Sequence, residues 1–386
     1  MKYYIIAGEA SGELHASNLM RALRAADPAC DIRYRSGDAA VMGLTDVIRH
    51  TRQVLARIAA CKEDMRSWQP DAVILVDNPG FNFRMARFAR RQGFKVFWYI
   101  APKVWAHGAG RVKKLRRDVD VLYCIFPFEL DWFRQHGIQP RYFGNPLLDS
   151  IAQWPFRPLE TADAAVPRIA LLPGSRSAEL KFLMPRLAAL ERLLAADPRL
   201  SAYRLTLAAA PSMTPGDYRK YLPADSRIEI LQGRTYDILA ASQAAVICSG
   251  TASLEAALIG TPQVVCYGFD RFTWLAARLL VRVPHVSLAN LTLDRRIFPE
   301  LLQDAASPEA IFRELEKILL DGETAARMKA GYEELKLALG GEGASARTAK
   351  ARWPRPLSGI TVPSLQRHIP SLQSPQDDTS HAWRYR

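Results

Sequence analysis

The sequence predicts an α/β protein made of two doubly wound, parallel-sheet domains in series. Three observations carry this. Short apolar runs alternate with amphipathic, helix-like stretches along most of the chain. The runs are continuously apolar rather than alternating, as in strands buried on both faces by helices. The alternation stops once, at residues 151–167 (IAQWPFRPLETADAAVP, with three prolines), and then restarts.

In order, the first half reads YYIIAG as a strand, a helix near 13–26, and DIRYRSG as a strand. An amphipathic stretch near 51–68 precedes DAVILVD. A helix near 82–92 leads to FKVFWYIAP, and a basic helix near 108–117 to VDVLYCIFPFE. The second half begins with RIALLPGS, a helix near 178–196, YRLTLAAAP and RIEILQG. It continues with a helix near 236–242, AAVICSG, a helix near 251–259 and QVVCYG, and closes on helical patterning near 308–339. The expected division is a domain at 1–150, a linker at 151–167, a second domain at 168–350 and a tail at 351–386. That tail is rich in Pro, Ser and Gln without periodicity, and is expected to be disordered.

With 386 residues, 49% hydrophobic and 24% charged, the chain can bury two full cores. Its five cysteines (Cys30, Cys61, Cys124, Cys248, Cys266) are scattered without metal-ligand spacing, which predicts a reducing, cytoplasmic setting. MKYYIIAGEASG reaches acids and glycines too early for a signal-peptide core. The longest apolar candidate, TWLAARLLVRV (273–283), is too short to span a bilayer and carries Arg278 and Arg282. The formal net charge of +13 either calls for anionic partners or is merely tolerated. No helix-turn-helix, RNP-type or zinc-finger pattern supports nucleic acid among them.

In open α/β sheets ligands bind beyond the carboxyl ends of the strands, so those loops hold the candidate residues. AGEASGE (7–13) is neither GxGxxG nor a P-loop. Gly8 and Gly12 read as turn makers, while Glu9, at a strand end beside a helix start, is suited to orienting a substrate hydroxyl or amide. In VDNPGFN (76–82), Asp77 directly follows the apolar run AVILV. Desolvation there suits a general base; an N-cap or Asx-turn role ahead of Pro79-Gly80 is the other reading.

PGSRSAEL (173–180) puts the amides of Gly174 and Ser175 and the Arg176 guanidinium at a helix N-terminus. This is a good anion site, or else a capped helix with a solvated Arg. SGTASLEAAL (249–258) repeats the design with Ser249, Gly250 and Thr251, and Glu255 one turn inside could take two ribose hydroxyls. A plain Ser/Thr N-cap is the alternative. Two anion-ready loops in one domain suggest a diphosphate flanked by a sugar. The DxD at Asp118 and Asp120 reads as strand-entry charge rather than a metal site, and nothing else in the sequence argues for metal. GRVKKLRR (110–117) and FNFRMARFARRQGFK (81–95) read as basic surface elements. The phenylalanines of the second either join a membrane-binding face or pack on the sheet.

Taken together, AGEASGELHASNL, VMGLTDVI, DNPGFNFRMA, YIAPKVWAHGAGRVKKL, FPFE, FGNPLLD, LLPGSRSAEL, SGTASLEAALIGTPQVVCYG, VSLAN and PELLQ resemble the lipid-A-disaccharide synthase family. The ten motifs fall in the family's order over residues 1 to about 350. The resemblance implies an inverting, metal-independent GT-B glycosyltransferase: two Rossmann-like domains facing across a cleft, with no cofactor. The implied reaction joins UDP-2,3-diacylglucosamine to 2,3-diacylglucosamine 1-phosphate (lipid X), giving a β(1→6)-linked disaccharide 1-phosphate and UDP in lipid A synthesis. The first domain would take the acceptor and the second the nucleotide. The family's functional carboxylates fall on Glu9 and Asp77, its PGSR arginine on Arg176, and its S-L-x-N asparagine on Asn290. The expected location is the cytoplasmic face of the inner membrane of a Gram-negative cell, bound peripherally. Family members can form dimers.

Three departures accompany the resemblance. A loop-and-helix segment that the family usually carries after RYRSGD is missing here. GNP (144–146) stands where many members have Gly-His-Pro. The tail beyond about Arg352 does not match, which puts bracing between the domains in doubt. A UDP-N-acetylglucosamine 2-epimerase-like enzyme and an inactive nucleotide-sugar-binding protein are the competing expectations.

Overall fold

A computed structural model describes residues 1–8, 10–36, 44–106, 108–159, 166–248, 250–268 and 285–351. Each half contains one six-stranded sheet in which every pairing is parallel. The first sheet has the order β2-β1-β3-β4-β5-β6. Its strands are β1 (Lys2–Ala7), β2 (Asp31–Ser36), β3 (Ala72–Val76), β4 (Lys95–Tyr99), β5 (Val121–Cys124) and β6 (Arg141–Tyr142). The central run AVILV of β3 is wholly buried, as a strand covered on both faces must be.

The second sheet has the order β12-β11-β10-β7-β8-β9. It is made of β7 (Arg168–Leu172), β8 (Arg204–Ala209), β9 (Glu229–Gln232), β10 (Ala244–Cys248), β11 (Gln263–Tyr267) and β12 (Glu300–Leu302). The ten strands read from sequence are present. The two-residue β6 and three-residue β12, at sheet edges, are additions too short to leave an apolar run.

Both orders contain one place where the chain reverses its direction of winding. In the first sheet it lies between β1 and β3, where Ala7 pairs with Val76. In the second it lies between β7 and β10, where Leu172 pairs with Ile247. A crevice opens beyond the strand ends at such a switch point, because the flanking connections leave in opposite directions.

Helices α1 (Ala10–Ala26), α2 (Leu44–Trp68), α3 (Pro79–Arg91), α4 (Val112–Asp118), α5 (Pro127–Gln135) and α6 (Pro146–Ala152) belong to the first half. The second half has α7 (Ser177–Ala196), α8 (Pro215–Arg219), α9 (Thr235–Ala240), α10 (Thr251–Ile259), α11 (Leu288–Leu293), α12 (Pro308–Leu320) and α13 (Gly322–Ala338). The helical stretch expected at 308–339 is therefore two helices. Asp321 ends α12 and caps α13, accepting from the Glu323 amide at 3.0 Å. Between the halves, Trp154 Nε1 and the Arg157 amide both donate to Asp237 Oδ1, at 3.0 and 2.9 Å, tying residues after α6 to α9.

Helix α14 (Ala344–Lys350) corrects the expectation that bracing is in doubt. It packs against α1 and α6, on the first half of the chain. Asp149 of α6 accepts from the amides of Gly343 (2.5 Å) and Ser345 (2.8 Å) at its N-terminus. Arg347 donates through Nε to the Phe143 carbonyl at 2.9 Å, and through its other nitrogens to the carbonyls of Glu342 and Gly340. Tyr142 Oη reaches the Ala338 carbonyl, and the Asn145 amide the Leu339 carbonyl. Gly144 sits under this crossing with φ +101°, and a Cβ there would lie 3.2 Å from the Leu339 carbonyl. The brace thus closes before the tail begins. The tail, like the site of the missing segment after Asp38, lies outside the described residues.

Helix α3 settles the two readings of its phenylalanines. Phe81 and Phe88 are buried with Met85 and Ala89 against the sheet, and Phe83 packs on Trp98 at 4.8 Å between ring centroids. The outward face is left to cations: Arg84, Arg87, Arg90 and Arg91, joined by Lys113, Lys114, Arg116 and Arg117 of α4, are exposed. Of the two readings, packing on the sheet is the one that holds, and the exposed face is basic without aromatics. The DxD carboxylates serve the fold. Asp118 takes a bidentate contact from Arg117, and Asp120 receives Arg90 and the Val96 amide. Among the described residues no helix is long and apolar enough to cross a membrane, and no acidic, His or Cys group could hold a metal ion.

Candidate active site

The first switch point brings Gly8, after β1, against the turn after β3. A Cβ on Gly8 would stand 2.2 Å from Asn78 Nδ2, so glycine is required by the close approach of the two loops. Neither Gly8 nor Gly12 has a positive φ. Gly12 is an early residue of α1, and a Cβ there meets only Ala7 Cβ at 3.9 Å. The turn-maker reading of both glycines is thus replaced by close packing at one and plain helix at the other. Glu9, next in the chain, lies outside the described residues.

Asp77 is half-buried at the head of the turn. It is not the N-cap of α3: Asn78 is, with Pro79 at the first helical position. Asp77 and Asn78 both have left-handed backbones, φ +45° and +42°. Two consecutive non-glycine residues in that region are uncommon, and such strain gathers at functional sites. The Asp77 amide is held by the Tyr99 carbonyl at 3.3 Å.

A second carboxylate, Glu129 of FPFE, stands at the end of β5. It is buried and accepts from Trp105 Nε1 (3.0 Å) and the amides of Ile125 (3.1 Å) and Phe126 (3.2 Å). Burial pushes its carboxyl up to about 7 against the pull of those donors. Its signal was in the sequence: Glu at the third position of a Pro-started helix is a capping pattern. Asn145 of GNP caps α6, accepting from the Leu147 amide at 3.0 Å, and donates to the Ile125 carbonyl. That position therefore does local structural work.

The second switch point brings together the PGSR and SGT loops. Gly174 has φ +97°, and its Cα lies so near Glu179 that a Cβ would stand 2.2 Å from Oε2. The amides of Ser175 and Arg176 both donate to that Oε2, at 3.0 and 3.1 Å, and Arg176 Nη1 contacts Oε1 at 3.2 Å. Tyr218, which the sequence did not single out, donates to the Gly174 carbonyl and accepts from the Ala210 amide, both at 3.0 Å. Of the amides expected to be exposed in PGSR, that of Ser175 is therefore already taken by an internal carboxylate, together with that of Arg176. The Arg176 side chain is 67% exposed.

The start of α10 differs. Its N-cap is Gly250, with no side-chain cap, so the alternative reading of a plain Ser/Thr N-cap does not hold there. Thr251 is its first residue, and Ser249 lies outside the described residues. One turn on, Glu255 Oε1 accepts from Tyr236 Oη at 3.0 Å, while burial pushes its carboxyl upward. Tyr236 stacks edge-on to Trp154 at 5.1 Å. Asn290 is fully buried. Its Nδ2 donates to Glu300 Oε1 (2.9 Å) and the Phe298 carbonyl (3.2 Å), and its Oδ1 accepts from the Ile297 amide (2.8 Å). Glu300 also takes the amides of Val286 and Ser287. Asn290 thus knots the loop together through both hydrogens of its amide nitrogen and its carbonyl oxygen.

A family profile described as lipid-A-disaccharide synthetase matches residues 3–352. The chain belongs to the lipid-A-disaccharide synthetase family. The lipid-A-disaccharide synthase of Myxococcus xanthus is 35% identical over 373 residues, covering 90% of this chain and 95% of that one. Two solved structures share the two-domain GT-B architecture. A UDP-GlcNAc 2-epimerase from Neisseria meningitidis bound to UDP-GlcNAc aligns with TM-score 0.62 at 11% identity, over 91% of this chain and 99% of that one. The glycotransferase of kitacinnamycin aligns with TM-score 0.57 at 15% identity, over 90% and 97%. At such identity these two show the fold, while membership of the lipid-A-disaccharide synthetase family carries the activity: glycosyl transfer in lipid A biosynthesis.

Proposed function

We propose that the enzyme joins UDP-2,3-diacylglucosamine to 2,3-diacylglucosamine 1-phosphate by a single in-line displacement. The acceptor occupies the first switch point, in a domain of residues 1–150. The UDP moiety occupies the second, in a domain of residues 168–350. Asp77 takes the proton from the acceptor 6-hydroxyl as its oxygen attacks the anomeric carbon, and UDP leaves from the opposite face. Glu9 orients the sugar of the acceptor. Arg176 and the Ser249–Thr251 end of α10 stabilise the diphosphate as its charge grows in the transition state. Glu255 takes ribose hydroxyls, and Asn290 shapes the sugar pocket through the loop it holds.

The observation that carries this reading is the coincidence of the candidate residues with the two switch points in one family-typical chain. Arg176 is exposed while Glu179 is mostly buried and holds two backbone amides, so a diphosphate bound there competes with the Glu179 carboxylate for those donors. The test is purified protein with both acylated substrates. UDP release that requires the acceptor, with disaccharide formed in equal amount, is the expected result. Epimerised sugar, or nucleotide binding without turnover, overturns it.

The basic face of α3 and α4 suits the cytoplasmic surface of an anionic inner membrane, where both lipid substrates reside. Attraction is about 1 kcal/mol per cation near such a surface. Arg90 is committed to Asp120 at 2.6 Å, so charge reversal is best made at Arg87, Arg91, Lys113 and Lys114. The fourfold Glu variant is expected to lose flotation with anionic vesicles while staying folded. Flotation equal to the parent's removes the docking claim.

A further inference from the structure

We propose that Asn82 is a positioning residue that holds Asp77 in its working conformation. The inference rests on the reading of Asp77 as the base. Asn82 lies in the first turn of α3 and is fully buried. Its Nδ2 donates to two successive carbonyls of the turn, Val76 at 3.2 Å and Asp77 at 2.8 Å. Its own amide donates to the Asn78 carbonyl at 2.9 Å. One residue thus takes the carbonyls of all three residues that carry the chain from β3 into α3.

The middle and last of those residues are the two with left-handed backbones. That conformation turns the Asp77 carbonyl away from both the strand ladder and the helix ladder. A carbonyl shielded from water and without a donor is costly; the Val76 contact is buried and the Asp77 contact part-buried, so donors supplied from inside the fold stabilise the left-handed turn. Asn82 supplies them. Its Oδ1 has no hydrogen-bond partner among the described residues. An idle buried acceptor argues against Asn82 as ordinary core filling, because an aliphatic residue fills the same space without that penalty. What the amide contributes, and an aliphatic side chain does not, is its pair of donors. Proton transfer needs the base within hydrogen-bond reach of the attacking hydroxyl, and a displacement of the turn by about 1 Å is enough to lower the rate about a hundredfold.

The test is a double-mutant cycle on the full chain. Asn82→Ala removes both donors, and Asn82→Ser retains one in case the alanine variant folds poorly. Each is made alone and with Asp77→Asn. kcat and KM for both substrates are measured by UDP release, with thermal melts as the control for folding. The expected result is a fall in kcat of about tenfold or more for Asn82→Ala, a smaller fall for Asn82→Ser, and KM values within about threefold. With Asp77→Asn already present, the Asn82 changes should cost nothing further, since there is no base left to position.

An equal fall in both backgrounds makes Asn82 a general structural residue and overturns the proposal while the base assignment stands. So does a kcat within about twofold of the parent for a folded Asn82→Ala. Near-normal turnover by Asp77→Asn alone removes the base assignment, and the positioning role with it.

Discussion

Asp77→Asn is expected to lower kcat by about 10²- to 10⁴-fold, the usual contribution of a positioned general base, with KM for the donor nearly unchanged. Asparagine is the right replacement for a physical reason. Asp77 sits at φ +45°, and Asn tolerates the left-handed region as well as Asp does. The turn, the Gly8–Asn78 contact and the Tyr99 tether therefore survive, and only the capacity to accept a proton is lost. Glu9→Gln is the matched comparison. A substrate-orienting carboxylate raises the acceptor KM when neutralised and leaves kcat nearly unchanged. If Glu9→Gln collapses kcat and Asp77→Asn does not, the two roles are exchanged.

The second large effect is on stability. Asp149→Ala is expected to destabilise the enzyme by about 2–5 kcal/mol, because charge-assisted hydrogen bonds contribute about 1.5–3 kcal/mol each. The carboxylate takes two amides at the start of α14, and without it those donors have no acceptor in a buried place. Asp149→Asn keeps one acceptor oxygen and should fall between the parent and the alanine variant. The melting temperature reports the loss. Limited proteolysis between residues 338 and 351 tells where it occurs: early cleavage there is expected, with the sheets still protected. A melting temperature within a degree of the parent's excludes a bracing role for Asp149.

Much of this was legible in the sequence because parallel strands advertise themselves. DAVILVD, FKVFWYIAP and AAVICSG leave unbroken apolar runs, and the loops that follow them are easily found. The order of strands was not legible, since which strand lies beside which depends on crossovers that no local pattern records. That order puts β1 beside β3 and β7 beside β10, and so joins the loops into two sites. Side-chain commitments were equally hidden. PGSR reads as an open anion site until Glu179, three residues past Arg176, is seen curled back onto the amides. Asn290 reads as a sugar-positioning residue, and its three bonds inside the fold show only in the structure. The phenylalanines of α3 were divisible between core and surface only once the sheet beneath them was in place.

The Glu179 contacts have a consequence for turnover. In the resting protein the amides after β7 already hold an anion, one supplied by the chain itself. Under the proposed function, a nucleotide diphosphate arriving there exchanges one negatively charged partner for another instead of filling empty donors. Its affinity is then the difference between two similar interactions rather than the whole of one. After bond cleavage the tethered carboxylate stands ready to reclaim its place, acting as a built-in competitor.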